Sequence, residues 1–179
     1  MTALILIGTV AHAEEDNIYI GIKGILIPWH GVQQAGDMDS ASVLSGGFGL
    51  FGDYALYDFF ALGLEMDYML MVPSGGSVGD AEQMVSLDPT VRFIYTYNSF
   101  EFYFKLGAGF TARIPPSGAT VADETKSGWN VLMVPGFMYK MESTGLIVEP
   151  GVFFSGYKKD GKQMLVTAFM LNFGFNGIF

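Results

Sequence analysis

From Asn17 onward, apolar and polar positions alternate with a period of two, and the alternation recurs in eight runs separated by turn-forming residues. In the first run Ile18, Ile20, Ile22 and Leu26 share one face, while Tyr19, Gly21 and Lys23 share the other. The third sets Leu62, Leu64, Met66, Tyr68 and Leu70 against Ala61, Gly63, Glu65 and Asp67. The fifth is the most regular, with Phe100, Phe102, Phe104, Leu106, Ala108 and Phe110 opposing Glu101, Tyr103, Lys105, Gly107, Gly109, Thr111 and Arg113. Successive side chains of a strand project to opposite faces, so this repeat predicts strands and not helices. Pro89, Pro135 and Pro150 fall inside three of the runs. Proline has no N–H to donate, so bulges or local unpairing are expected there.

The connections alternate between short and long. Short turns are predicted near Asp53–Phe59, Asn98-Ser99 and Glu142–Gly145, and longer polar segments at Pro28–Ser42, Val72–Gln83 and Ile114–Lys126, with a smaller one at Lys158–Lys162. Short turns at one end and longer loops at the other, with strands long enough to cross a bilayer at a tilt, are the habit of transmembrane barrels. The fold class predicted is all-β, an eight-stranded antiparallel transmembrane β-barrel built as an up-and-down meander. The face assignment follows from side-chain volume. One face carries rows of Phe, Leu, Ile and Tyr, and the other mixes Gly, Ser and Thr with charges of both signs. A narrow lumen leaves little room, so glycines among charges belong inside, with Gly47 and Gly49 leaving space for Glu65 and Asp67. The aromatic and aliphatic face then meets lipid. The alternative is a soluble lipocalin-type barrel with the faces exchanged.

Composition agrees. Of 179 residues 50% are hydrophobic and only 15% charged, well below the usual share for a soluble domain. The net charge of −9 argues against nucleic acid as a partner, and the absence of Cys excludes thiolate chemistry. Residues Leu4 to Ala11 are apolar and end in Ala11-His12-Ala13 before Glu14-Glu15-Asp16. That is the shape of a signal-peptide cleavage site lacking its basic start, the alternative being a buried N-terminal strand. Residues 1–13 are therefore read as a truncated signal peptide and 14–179 as the barrel, placed in a bacterial outer membrane.

The chain ends Phe169-Met170-Leu171-Asn172-Phe173-Gly174-Phe175-Asn176-Gly177-Ile178-Phe179, alternating and closing on an aromatic. This resembles the C-terminal signature, here Phe179, by which outer-membrane barrels are handed to their assembly machinery. With the eight alternating runs it makes the chain resemble the small outer-membrane barrels: the OmpA transmembrane domain, the OmpX/Ail group and the OmpW group. Tyr19-Ile20-Gly21-Ile22-Lys23-Gly24 running into Ile27-Pro28 is similar to the first strand of the OmpW group. Asp88-Pro89-Thr90, Tyr95-Thr96-Tyr97-Asn98 and Leu106-Gly107-Ala108-Gly109 are similar to its central hairpin. Asp88 and the residues before Phe179 depart from that group's pattern. The resemblance implies a barrel that binds or passes small hydrophobic compounds, or, in the OmpX/Ail manner, one that binds extracellular ligands through its loops.

The alternation places Lys23, Arg92, Lys105, Arg113 and Lys140 in the lumen against Glu65, Asp67, Asp88, Glu101 and Glu149, five of each sign. Buried charges are tolerable only when paired, so an ionic plug is expected in preference to an aqueous pore. Toward the long-loop end the inward residues turn apolar: Ile25, Ile27, Met69, Leu132, Val134, Phe153, Met164 and Val166. Such a lining could accept a small hydrophobic molecule, with Met giving adaptable contacts. The alternative is ordinary side-chain filling. Asp53 and Asp58 are placed at the first turn. Acidic Asp37, Asp39, Asp80, Glu82, Asp123 and Glu124, and basic Lys158, Lys159 and Lys162, fall in the outer loops, where an extracellular ligand would bind.

No enzyme is expected, and no metal or cofactor site. His30, placed in the first loop beside Trp29 at the membrane interface, has no His-x-Ser partner for a hydrolase. Gly47-x-Gly49-x-x-Gly52 matches the dinucleotide fingerprint only as a string, since no helix follows. Asp37-x-Asp39 lacks the Gly and terminal Glu of a calcium loop.

Overall fold

The structure is a computed structural model that describes residues 18–34, 37–41, 45–72, 76, 80–116, 125–159 and 162–179. The segment read as a signal peptide, and the mature start near Glu14, lie outside the described residues.

Every described element is a strand or a turn. The strands are β1 (Ile18–Gln34), β2 (Asp37–Ala41), β3 (Ser45–Tyr57), β4 (Phe60–Met71), β5 (Glu82–Tyr97), β6 (Phe100–Ile114), β7 (Lys126–Met141), β8 (Thr144–Lys159) and β9 (Lys162–Ile178). From β3 to β9 each strand pairs antiparallel with the next, β1 pairs with β3, and β1 pairs with β9 from Tyr19↔Ile178 to Gln34↔Met164. That last ladder closes an eight-stranded barrel, with the short β2 paired to the far part of β1. Closure leaves no free edge along the wall. Three two-residue turns, Asp58-Phe59, Asn98-Ser99 and Glu142-Ser143, lie at one end together with Ile18 and Phe179. We call this the turn end, and the opposite end, reached by the longer connections, the loop end. Asn98 and Glu142 hold positive φ of 53° and 42°, as tight hairpin turns require.

The faces fall as the alternation predicts. Large apolar side chains on the outside are exposed, Phe110 at 78% and Phe104 at 42%, while Lys105 between them in sequence is 1% exposed. Around the turn end the outer wall carries contacting aromatic rings, among them Phe60 with Phe93 and Phe100 with Phe137 and Tyr139, at centroid separations of 5.6, 5.4 and 5.2 Å. Such girdles mark the level where a bilayer meets water.

The prolines produce unpairing without a change of register. Pro135 of β7 lies directly across from Pro150 of β8, and pairing between those strands lapses from Met133↔Val152 to Phe137↔Val148. Each proline remains aligned on its other side, opposite Phe104 and Leu171 respectively. At Pro89 pairing lapses toward β6 and is kept toward β4. True register shifts occur elsewhere, between Leu26 and Trp29 in the β1–β9 ladder and between Ala55 and Tyr57 in the β3–β4 ladder.

Two expectations are corrected here. The stretch beginning at Pro28, read as a loop, continues as strand to Gln34. The bulge at Ile27-Pro28 slips the alternation by one, which sends Trp29 outward against Phe169 and His30 inward. His30 is accordingly a buried residue of the lumen and not part of an interfacial loop. Likewise β3 runs on to Tyr57, so Asp53 is a buried lumen residue and not a turn residue.

Candidate functional site

The lumen is filled in layers. Nearest the turn end, Tyr19, Phe51, Ala55, Ala61, Ile94, Tyr103, Met138 and Ile147 form an apolar cluster. Through it passes the Arg92 guanidinium, 4.4 Å from the Tyr19 ring and 4.9 Å from that of Tyr103. Arg92 pairs with Asp53 at 3.1 Å and with Glu101 at 3.3 Å, and Lys140 closes on the other oxygen of Glu101 at 2.7 Å. Asp53 thus takes a place in the network that its assignment to a turn had denied it. Its neighbour across the β3–β4 ladder is Gly63, where a Cβ would run into the Asp53 carboxylate.

The next layer is centred on Lys105. Its Nζ lies 2.6 Å from Glu65 Oε2 and 2.8 Å from Glu149 Oε1. Glu149 also accepts from the Tyr103 hydroxyl at 2.8 Å and from Asn172 Nδ2 at 3.1 Å. Lys23 pairs with Glu65 and, at 3.2 Å, with Asp67. Gly49 stands opposite Asp67, and a side chain there would strike both that carboxylate and the Lys23 stem. Gly47 is opposite Met69 and Glu65 is opposite Phe51, so only Gly49 makes room in the way proposed for both glycines. Four strands thereby meet through charge across the barrel, with these side chains almost completely covered.

Asp88 is different. It accepts a hydrogen bond from Asn130, and among the described residues it is the buried carboxylate that forms no ion pair. A buried unpaired charge is destabilising. Asp88→Asn, which keeps the volume and can still accept from Asn130, is therefore expected to leave the midpoint of thermal unfolding in detergent unchanged or raise it. A midpoint lowered by more than a few degrees would show that a cation holds Asp88.

Above these layers the lumen turns apolar. All eight residues predicted to line it, Ile25, Ile27, Met69, Leu132, Val134, Phe153, Met164 and Val166, belong to one buried cluster. Met71, Met84, Tyr157, Ala168 and Met170 join them. The alternation had already turned these inward, so the signal for them was present. Of the 13 members five are methionine. Ile27, Met69, Leu132, Val134, Phe153 and Val166 have no exposed surface, so the cluster is closed upon itself.

At the loop end the cluster is capped by polar groups. The Arg113 guanidinium lies 4.3 Å from the ring of Tyr157 and pairs with Glu82. Lys126 is directly across from Arg113 on β7. His30 is close enough to Arg113 and Glu82 to feel their charges. Of the ten charges predicted for the lumen, Lys23, Glu65, Asp67, Lys105 and Glu149 form one ion-paired group and Arg92, Glu101 and Lys140 another, the two bridged by Tyr103, while Arg113 stands apart at this rim and Asp88 is bound only by hydrogen bonds. The acidic loop residues Asp37 and Asp39 sit in β2, and Asp123 and Glu124 lie outside the described residues. Phe179 at the other end pairs through its backbone with Ile18 in both directions, at 2.9 and 3.0 Å, and exposes its ring on the outer wall.

No protein-family model and no curated protein matches the chain. Among solved structures, Neisserial surface protein A is similar with a TM-score of 0.67 at 13% identity, over 92% of this chain and 100% of that one. Ail, the attachment invasion locus protein of Yersinia pestis, gives 0.54 at 17% identity, over 92% and 99%. The outer membrane protein OprG from Pseudomonas aeruginosa gives 0.52 at 13%, over 92% and 95%. At these identities the likeness is one of fold: a closed, all-antiparallel eight-stranded meander shared with small outer-membrane barrels. It reaches that class as a whole, more broadly than the OmpW group that the sequence motifs resemble.

Proposed function

We propose that this chain is an integral barrel of the bacterial outer membrane, OmpW-like in that it takes small hydrophobic molecules into the loop-end half of its lumen. The observation that carries the reading is the partition of the lumen. A continuous ionic floor joins Lys23, Glu65, Lys105 and Glu149, and above it stands a methionine-rich apolar compartment facing the loop end. Binding from the loop end needs only the apolar side chains to move, and unbranched methionines repack readily around different shapes. Passage through the barrel would also require the floor to open, so the reading is one of binding first. The exposed aromatic and aliphatic residues of the outer wall support reading it as the face toward lipid, and Phe179, exposed on that wall at the closing β1–β9 seam, is read as the signal recognised by the barrel assembly machinery.

The zero exposure of the cluster favours a second reading, in which the lumen is a static plug and the loops bind extracellular ligands, in the manner of OmpX/Ail barrels. Titrating the refolded chain with a neutral alkyl alcohol separates the two. Leu132→Asp and Phe153→Asp, each placing a charge in the compartment, are expected to reduce binding at least tenfold while the folded band that shifts on boiling is kept. Binding equal to the parent in both folded variants, or none in the parent, moves the function to the loops.

A further inference from the structure

At the rim above the apolar compartment Arg113 of β6 pairs with Glu82 of the adjacent β5, and Lys126 of β7 lies directly across from Arg113. Glu82 uses only one of the guanidinium nitrogens, Nη2. Arg113 Nε and Nη1 are buried and have no hydrogen-bond partner, and the same is true of Nδ1 of His30. Arg113 and His30 are 5% and 4% exposed, so these polar atoms are not satisfied by bulk water. A buried donor left unmade is costly, and such groups in a folded protein call for an explanation such as a bound ligand. Tyr157 joins the two regions physically. Its ring lies against the Arg113 guanidinium, and it is itself a member of the apolar cluster below.

We infer that the ligand of this compartment is an amphiphile with an anionic head, of the medium-chain carboxylate class. Its head is held by Arg113 and His30, and its tail displaces the methionine-rich cluster beneath Tyr157. The inference rests on the hydrophobic-binding reading above and adds the headgroup to it. Each two-donor edge of the guanidinium, Nε with Nη2 or Nη1 with Nη2, includes the nitrogen that Glu82 holds, so a ligand carboxylate forms the planar bidentate pair by displacing Glu82. Glu82 fills part of that role in this structure. Its side chain is 40% exposed, in contrast to the covered carboxylates of the ionic floor, so it can leave for solvent when a ligand carboxylate arrives. A neutral alcohol of the same length gains the apolar contacts but leaves Arg113 paired only with Glu82.

The test uses the full chain folded in phosphocholine nanodiscs, with 13C-methyl methionine reporting on Met69, Met71, Met84, Met164 and Met170. Decanoate and decan-1-ol are titrated separately, so partition into the bilayer is common to parent and variants. The expected result is that both shift the cluster methyls, with decanoate at least tenfold tighter. Arg113→Gln should abolish that preference and leave decan-1-ol binding unchanged. Glu82→Gln, at an exposed position that leaves folding intact, should tighten decanoate severalfold by removing the competing carboxylate. Equal binding of the two probes, with no response to Glu82→Gln, overturns the headgroup inference while the hydrophobic reading stands. Failure of both probes to shift the methyls overturns the hydrophobic reading itself.

Discussion

Replacing Lys105 by Met is expected to destabilise the folded barrel by about 3–5 kcal/mol, the magnitude typical of breaking a buried ion pair by removing one partner. Lys105 is in contact with both Glu65 and Glu149 and is 1% exposed. Methionine replaces the stem but not the charge. Glu65 would keep Lys23, and Glu149 would keep only the neutral donors Tyr103 and Asn172. The main loss is thus assigned to Glu149, and Glu149→Gln in the Lys105→Met background should recover a large part of it. Urea unfolding of the four proteins of this cycle, in a fixed detergent, measures the coupling directly. A loss below about 1 kcal/mol for Lys105→Met, in the range of an exposed surface pair, would refute the central role given to this layer.

Met133→Arg carries the second large effect, and it tests the bilayer itself. Met133 projects outward from the middle of β7, between Leu106 of β6 and Val152 of β8. An arginine on the lipid face near the midplane of a bilayer is unfavourable by about 2–4 kcal/mol, falling to about 0–1 near the interface. Tyr139, also outward but in the aromatic zone at the turn end, supplies the comparison as Tyr139→Arg. In lipid vesicles the first substitution should strongly destabilise the barrel and the second should be nearly neutral. Equal effects at the two depths, or a chain that stays soluble and folded without any amphiphile, would mean the outer wall faces something other than lipid.

Much of this architecture was legible from residue order, for a definite reason. A strand repeat of two is short and strict, so it declares itself within a few residues, as in Phe100 to Arg113. Closure of the sheet then requires every strand to obey the same inside and outside. The glycines mark the narrow side, and the mixture of charges on that side points to pairing. The eight apolar residues assigned to the loop-end half met in one cluster because parity and strand direction together fix height in a meander barrel.

What the pattern did not reveal lies where parity is broken or a strand runs past its apparent end. His30 would point outward under strict alternation from Lys23, and the bulge at Ile27-Pro28 turns it in. Pro28 was the available clue, since proline within a strand often marks such an irregularity. Asp53 obeys the parity of Ser45 and Gly49 and was lost only because Asp followed by Tyr and Ala looks like the approach to a turn. The partners of each charge were a different kind of unknown. Alternation says that Lys105 and Glu149 share the lumen, and it does not say that they touch, because they sit on strands that are not neighbours. That contact depends on the tilt and stagger with which the wall closes. The sequence by itself determined which side of each strand faces the lumen and which faces outward, because burial on one face is a local property of alternating residues. The tertiary structure alone decided who pairs with whom across the lumen, because those distances are set by closure of the whole sheet.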